Sequence, residues 1–314
     1  MRKSPVLALL FAAVASPGMA QAASFDQGMN TMWEVLWHQS GTATRLVRWE
    51  QDLRVRISGV NAAAHRQHTL QALRDVAGEA GVKVIDVSDS PDAAQQANVD
   101  IRIVADNALP EEQPCETRLD FDSETTIDSV STVMRDSEAE RCAYHESMHI
   151  MGVRGHPGGE TVLSYFSPVV DRLLPLDKAM LSAWYSPRAH GGMTPFEILP
   201  ILADELVAIA PDKQVAAQAR DRFLARTVGE MQAFAVGGGD VPRILKLSGK
   251  SSDLGIRFGR MEMSYFLGVA YQKGASVAKD ARQSLHWMQR AASLGDRSAK
   301  AQLAGGTTEL GAGS

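Results

Sequence analysis

The chain has 314 residues, 45 % of them hydrophobic and 22 % charged, and a formal net charge of −5. That length exceeds the usual single domain, and the composition is that of a globular protein with a real core, so two domains are expected. The acidic balance argues against an electrostatic nucleic-acid binder, and no apolar run reaches the roughly eighteen residues of a membrane span.

Arg2 and Lys3 precede an apolar run from Val6 to Ala15, then Pro17, Gly18 and small residues through Ala23. This is a positive n-region, a short h-region and an Ala20-Gln21-Ala22 cleavage site, so residues 1–23 read as a signal peptide. Export to the periplasm or the medium follows, with no membrane span after cleavage. In the N-terminal segment 24–44, Met29, Met32, Trp33, Leu36 and Trp37 form one apolar stripe of a short helix, a packing segment.

Leu53, Val55 and Ile57 alternate with Arg54 and Arg56, which predicts a half-buried strand closing at Gly59. Asn61 to Ala80 carries Leu70, Leu73, Val76 and Ala77 at helical spacing and ends before Gly81. His65 and His68 sit on that helix, on a face expected to be solvated. Val82 to Val87 and Val99 to Val104 are the next strands. Pro110, Glu111, Glu112 and Pro114 form an acidic surface loop. Ile127 to Met134, rich in β-branched residues, is expected to be the last strand before a helix capped by Asp136 or Ser137. The result is a mixed α/β layer arrangement.

That helix leads into His145-Glu146-Ser147-Met148-His149-Ile150-Met151-Gly152-Val153-Arg154-Gly155-His156. Histidines at i and i+4 share one helical face, so His145 and His149 can bind one ion together. Glu146 beside them points at the remaining coordination position, where a general base can take a proton from water. Gly152 permits a sharp turn, and His156 stands where a returning chain can add a third ligand. The chain has eight histidines, and three of them fall inside these twelve residues, which weighs against chance.

Cys115 and Cys142 are the only cysteines. In an exported chain an even pair invites a disulfide, here one that would pin the start of the histidine helix. After the motif, Gly158-Gly159-Glu160-Thr161-Val162-Leu163-Ser164-Tyr165 can turn the chain under a metal. Tyr165 then reaches toward the ion as a ligand or an oxyanion donor, or else is a half-buried tyrosine in a turn. Leu173 to Leu181 runs from loop into helix, and His190 reads as a surface residue. Residues 193–236 form a helical extension. Gly237-Gly238-Gly239 open a linker spanning 237–260.

With these residues in view, the segment from about Arg45 to Pro187 resembles the metzincin-like zinc peptidases. The match is His145-Glu146-x-x-His149-x-x-Gly152 with a third histidine, then the turn Val162-Leu163-Ser164-Tyr165. His156-Pro157 is similar to the end of the motif in the serralysin-like branch. Cys142 and Ala183-Trp184-Tyr185-Ser186-Pro187-Arg188 also resemble an uncharacterised family of exported proteobacterial proteins. Two departures stand out. The metzincin third ligand falls ten residues after the first, which here is Gly155, and the methionine of the turn is Leu163. Should His156 not serve, Tyr165, Glu160 or Asp171 are the substitutes.

The resemblance implies an α+β fold: a zincin-like domain over 45–192, with a mixed sheet and an active-site helix, followed by an all-α region. It implies Zn2+ as cofactor, His145, His149 and His156 as ligands, and Glu146 and Tyr165 as catalytic residues. The implied function is zinc-dependent cleavage of peptide bonds by metal-activated water, on a peptide or protein substrate. Over 261–305, Leu267-Gly268, Tyr271, Gly274, Asp280, Trp287, Ala291-Ala292 and Gly295 resemble a SEL-type tetratricopeptide-like repeat. Such a unit implies a protein partner. The rival function is therefore a non-catalytic periplasmic interaction protein with a structural or vestigial zinc site. Residues 306–314 read as a disordered tail.

Overall fold

The computed structural model describes residues 17–37, 45–121, 125–165 and 167–310, with side chains described from 24 to 305. In chain order the elements are α1 (Pro17–Val35), β1 (Leu53–Gly59), α2 (Ala62–Glu79), β2 (Val84–Asp86), α3 (Ala93–Gln96), β3 (Val99–Val104), β4 (Cys115–Phe121) and β5 (Ile127–Arg135). They continue with α4 (Ala139–Ile150), α5 (Pro175–Trp184), α6 (Pro195–Ile209), α7 (Lys213–Val236), α8 (Arg243–Leu247), α9 (Asp253–Lys273), α10 (Ala281–Leu294) and α11 (Arg297–Leu310). The whole is a mixed α/β layer followed by a helical C-terminal region.

Five strands form one sheet in the order β2-β1-β3-β5-β4. The first four in that order pair in parallel, and β4 closes the edge antiparallel to β5. Period-two alternation sets which face is buried: Leu53, Val55 and Ile57 in β1 and Val99, Ile101 and Ile103 in β3 point into the core. On the covered face, α2 buries Leu70, Leu73, Val76 and Ala77 and packs beside α4.

Strand β4 corrects the four-strand expectation. Its pattern, Cys115, Thr117, Leu119 and Phe121 against Glu116, Arg118 and Asp120, alternates as a strand does, but an edge position leaves it half exposed and mixed in polarity. The cap of α4 is also different. Asp136 is drawn to Asn61 Nδ2 and His65 Nε2, both at 2.8 Å, and the Ser137 amide donates to Asp106 at 2.9 Å. His65 is thereby fastened to a carboxylate on a face expected to be solvated, while His190 is exposed as expected.

The first sixteen residues of the expected signal peptide lie outside the described residues, as do 38–44 and 311–314. Helix α1 begins at Pro17, within the expected signal peptide, and continues into the segment whose stripe was expected to pack. Met29, Met32, Trp33, Leu36 and Trp37 are all buried. The stretch read as a linker holds α8 and the start of α9, whose N-terminus is capped by the Ser252 hydroxyl. Helix α11 extends to Leu310, into the stretch read as a tail. A Cβ at Gly268 would come within 2.9 Å of Met288, so a small residue is needed where α9 meets α10.

Candidate metal centre

Helix α4 presents His145 and His149 one turn apart, and both imidazoles are oriented from behind. His145 Nδ1 donates to Val162 O at 2.9 Å, and His149 Nδ1 donates to Val153 O at 2.7 Å. A carbonyl only accepts, so each Nδ1 carries the proton and each Nε2 carries a lone pair. Those Nε2 atoms converge with that of His156. His149 Nε2 is 3.1 Å from His145 Nε2 and 3.0 Å from His156 Nε2.

Converging lone pairs repel unless a cation lies among them. A tetrahedral zinc with bonds of about 2.0–2.1 Å separates its ligands by about 3.3–3.4 Å, so a slight spreading of the three rings admits one. Burial lowers the pKa of His145, and lowers that of His149 well below the imidazole range, with the neighbouring histidines adding to it. Burial and His145 together bring His156 to about 4. Neutral imidazole is the ligating form, so the donor set fits a borderline-soft divalent ion.

Glu146 is 3 % exposed, and its Oε2 has no hydrogen-bond partner among the described residues. Burial raises its pKa to about 7 against the opposing hydrogen bond from Thr117. Tyr165 is 63 % exposed, with its ring stacked on His156 at a centroid distance of 4.4 Å and an interplanar angle of 11°. Partial burial, then the Glu146 charge, raises its pKa. Among the described residues the clustered metal donors are His145, His149 and His156, so Glu160 and Asp171, both exposed, do not join them.

These residues line a cleft of about 1060 Å³ whose other wall is β4, contributing Cys115, Glu116, Thr117, Leu119 and Phe121. The Cys115–Cys142 disulfide ties that wall to α4. Behind His145 lies a buried chain of hydrogen bonds that sequence reasoning missed. Val162 O accepts from His145, the Leu163 amide of the same peptide unit donates to Thr161 Oγ1 at 3.1 Å, and the Thr161 hydroxyl donates to Asp177. Asp177 also accepts from the amides of Val162 and Leu174. An acidic residue in the first turn of α5 is the visible sequence signal, but nothing in the sequence names its partners.

Among the described residues no helix is long and apolar enough to cross a membrane. No curated protein and no solved structure matches the chain. Residues 262–296, from the second half of α9 through α10 to Asp296, match the Sel1 repeat family.

Proposed function

We propose that the protein is an exported zinc-dependent peptidase of metzincin-like type. One observation carries the reading: a buried carboxylate with a free oxygen, Glu146, stands beside three converging imidazole nitrogens at the floor of a cleft. A purely structural metal site gains nothing from a buried, partly unsatisfied carboxylate, which costs about 1–3 kcal/mol in stability.

His145, His149 and His156 would hold the ion, which when bound supplies a Lewis acid that acidifies water and polarises the scissile carbonyl. The remaining roles belong to the chain. Glu146, poised near neutrality by burial, accepts the proton of the attacking water and delivers it to the leaving amine. Tyr165, next to His156 at the cleft mouth, donates its hydroxyl hydrogen to the carbonyl oxygen as charge grows there. Strand β4 has one edge unpaired by the sheet, and an extended peptide adds to such an edge through main-chain hydrogen bonds. The Cys115–Cys142 disulfide supports export to an oxidising compartment, in line with the N-terminal signal pattern.

The test is metal analysis of the purified mature protein together with a peptide-library digest of wild type and Glu146→Ala. About one zinc per chain and cleavage abolished by the substitution are expected. Cleavage that survives Glu146→Ala would remove the assignment.

A second reading is favoured by the Sel1 match, because such repeats typically mediate contacts between proteins. On that reading the protein is a non-catalytic interaction protein with a structural or vestigial zinc site. Coordination separates the two: a fourth protein ligand closing the shell favours the second, and an open position favours the first.

A further inference from the structure

His156 is oriented differently from the other two histidines. His145 and His149 are each fixed by a backbone carbonyl at Nδ1. Among the described residues His156 has no such partner, so its position depends on the loop that carries it and on the stacked Tyr165 ring.

That loop is fastened to α1, more than a hundred residues earlier in the chain. The Thr31 hydroxyl donates to Gly158 O at 2.9 Å, and the Gly158 amide donates to Glu34 Oε2 at 3.2 Å. Both bonds hold one residue, two positions after the histidine. Close packing reinforces them. A Cβ at Gly155 would lie 2.6 Å from Cα and O of Val35, and one at Gly159 would lie 2.5 Å from Thr31 Oγ1. Gly155 is also the position ten residues after His145. Helix α1 occupies the space any side chain there would need, and the next residue supplies the imidazole.

The helical region grips the same helix. Arg243 of α8 ion-pairs with Glu34, and Arg226 of α7 with Asp26 at 3.1 Å. Trp33 packs on Phe196 of α6, and Trp37, just beyond the helix, on Phe266 of α9.

We propose that α1 is a clamp through which the C-terminal helical region fixes the third metal ligand, with Thr31 and Glu34 as positioning residues for His156. This rests on the metal-centre reading above and adds to it the device that completes the centre. A ligand on a loop must lose conformational freedom when the ion binds, and a loop already held loses less. The helical region therefore contributes to metal affinity without touching the metal.

The experiment uses the full mature chain as wild type, Glu34→Gln, Glu34→Ala, Thr31→Val/Glu34→Ala, Gly155→Ala and His156→Ala. Cobalt affinity is read from its visible absorption under chelator competition, and amide exchange over residues 155–160 is read on the metal-free protein. The double variant and Gly155→Ala are expected to lose about tenfold or more in cobalt affinity, toward the His156→Ala floor, with faster exchange confined to that loop. Glu34→Gln keeps an oxygen that accepts from the Gly158 amide and is expected to retain most of the affinity lost in Glu34→Ala. Wild-type affinity and exchange in the double variant would overturn the proposal. So would equal losses in Glu34→Gln and Glu34→Ala accompanied by a general fall in melting temperature. A wild type that binds no cobalt removes the proposal and the metal centre together. One that binds cobalt and cleaves nothing removes only the peptidase.

Discussion

The Thr161 hydroxyl donates to the Asp177 carboxylate inside a buried turn, and the same oxygen receives the Leu163 amide whose peptide carbonyl, Val162 O, holds His145. A carboxylate, a hydroxyl, a peptide and an imidazole thus form one polarised series ending at His145 Nε2, one of the three converging nitrogens. Asp177→Ala breaks it at the charged end. Zinc affinity is expected to fall by about 10–100-fold, the usual effect of losing an outer partner of a ligating histidine. Thr161→Val is expected to do the same, while Thr161→Ser retains affinity. Chelator competition measures each, and a loss in Thr161→Ser equal to that in Thr161→Val would reduce the series to ordinary packing.

Glu146 carries opposite consequences for stability and activity. Replacing it with Ala or Leu removes a buried oxygen without a partner, so the metal-free fold is expected to gain about 1–2 kcal/mol. Peptide cleavage is expected to fall by at least about 10²-fold, the contribution of a positioned general base. Thermal melting and turnover on the same preparations test both signs at once.

Proton competition at the three histidines is displaced to acid. Burial lowers all three, with His156 at about 4, so the ordinary imidazole pKa of about 6.5 overstates how easily protons expel the ion. Zinc affinity is expected to change little between pH 7.5 and about 6 and to fall only as the pH approaches the lowered imidazole values, about 4 for His156. Chelator-buffered titrations across that range would show a steep loss already by about pH 6 if the imidazoles were solvated.

Arg66 joins α2 to the β2 end of the sheet through Asp86 at 2.6 Å and Asp89 at 2.8 Å. Burial alone would raise Asp86, but hydrogen bonds from Ser88 and Arg66 and the Arg66 charge outweigh it and leave its pKa low. The Arg66 hydrogen bond also lowers Asp89. Carboxylates with depressed folded-state pKa values contribute stability above their unfolded value of about 3.9, and that stability is lost as the pH falls through the folded value. Arg66→Gln is therefore expected to be less stable than wild type at pH 7, with the gap closing below about pH 4. Urea unfolding at pH 7, 5 and 3 gives the comparison.

The disulfide closes 27 residues between the cleft wall and α4. By the chain-entropy account, a loop of that length contributes about 3–4 kcal/mol. Cys115→Ala/Cys142→Ala is expected to unfold at correspondingly lower urea, measured without reductant. Its zinc affinity is expected to hold better than its stability, because all three histidines lie outside the bridge.

Much of this architecture was legible in the sequence because it rests on local rules. Alternation gave β1 and β3, helical spacing gave α2, and the histidine spacing gave a shared face on α4. The pairing of Cys115 with Cys142 followed from their number and from the expected export. Relationships between distant segments were not legible. β4 was hidden because an edge strand needs apolar residues on one face only, and Glu116, Arg118 and Asp120 break its apolar pattern. Asp177 sat in the stretch where loop runs into helix, and nothing in its surroundings pointed sixteen residues back to Thr161. Asp136 stood where a helix cap belongs but answers to His65 across the fold. The hold of α1 on the histidine loop was not legible either, because Thr31 and Glu34 lie off the apolar stripe and reach backbone atoms of Gly158.

The hydrogen bond from Thr31 to Gly158 spans 127 residues. Contacts of such sequence separation form late, because loop closure must precede them. Helix α1 is thus among the last elements to find its place, and it needs α6 to α9 as well as the histidine loop before it is fully held. On the proposed reading, metal capture at full affinity would report that α1 has docked between the histidine loop and α6 to α9, an end-point marker of assembly.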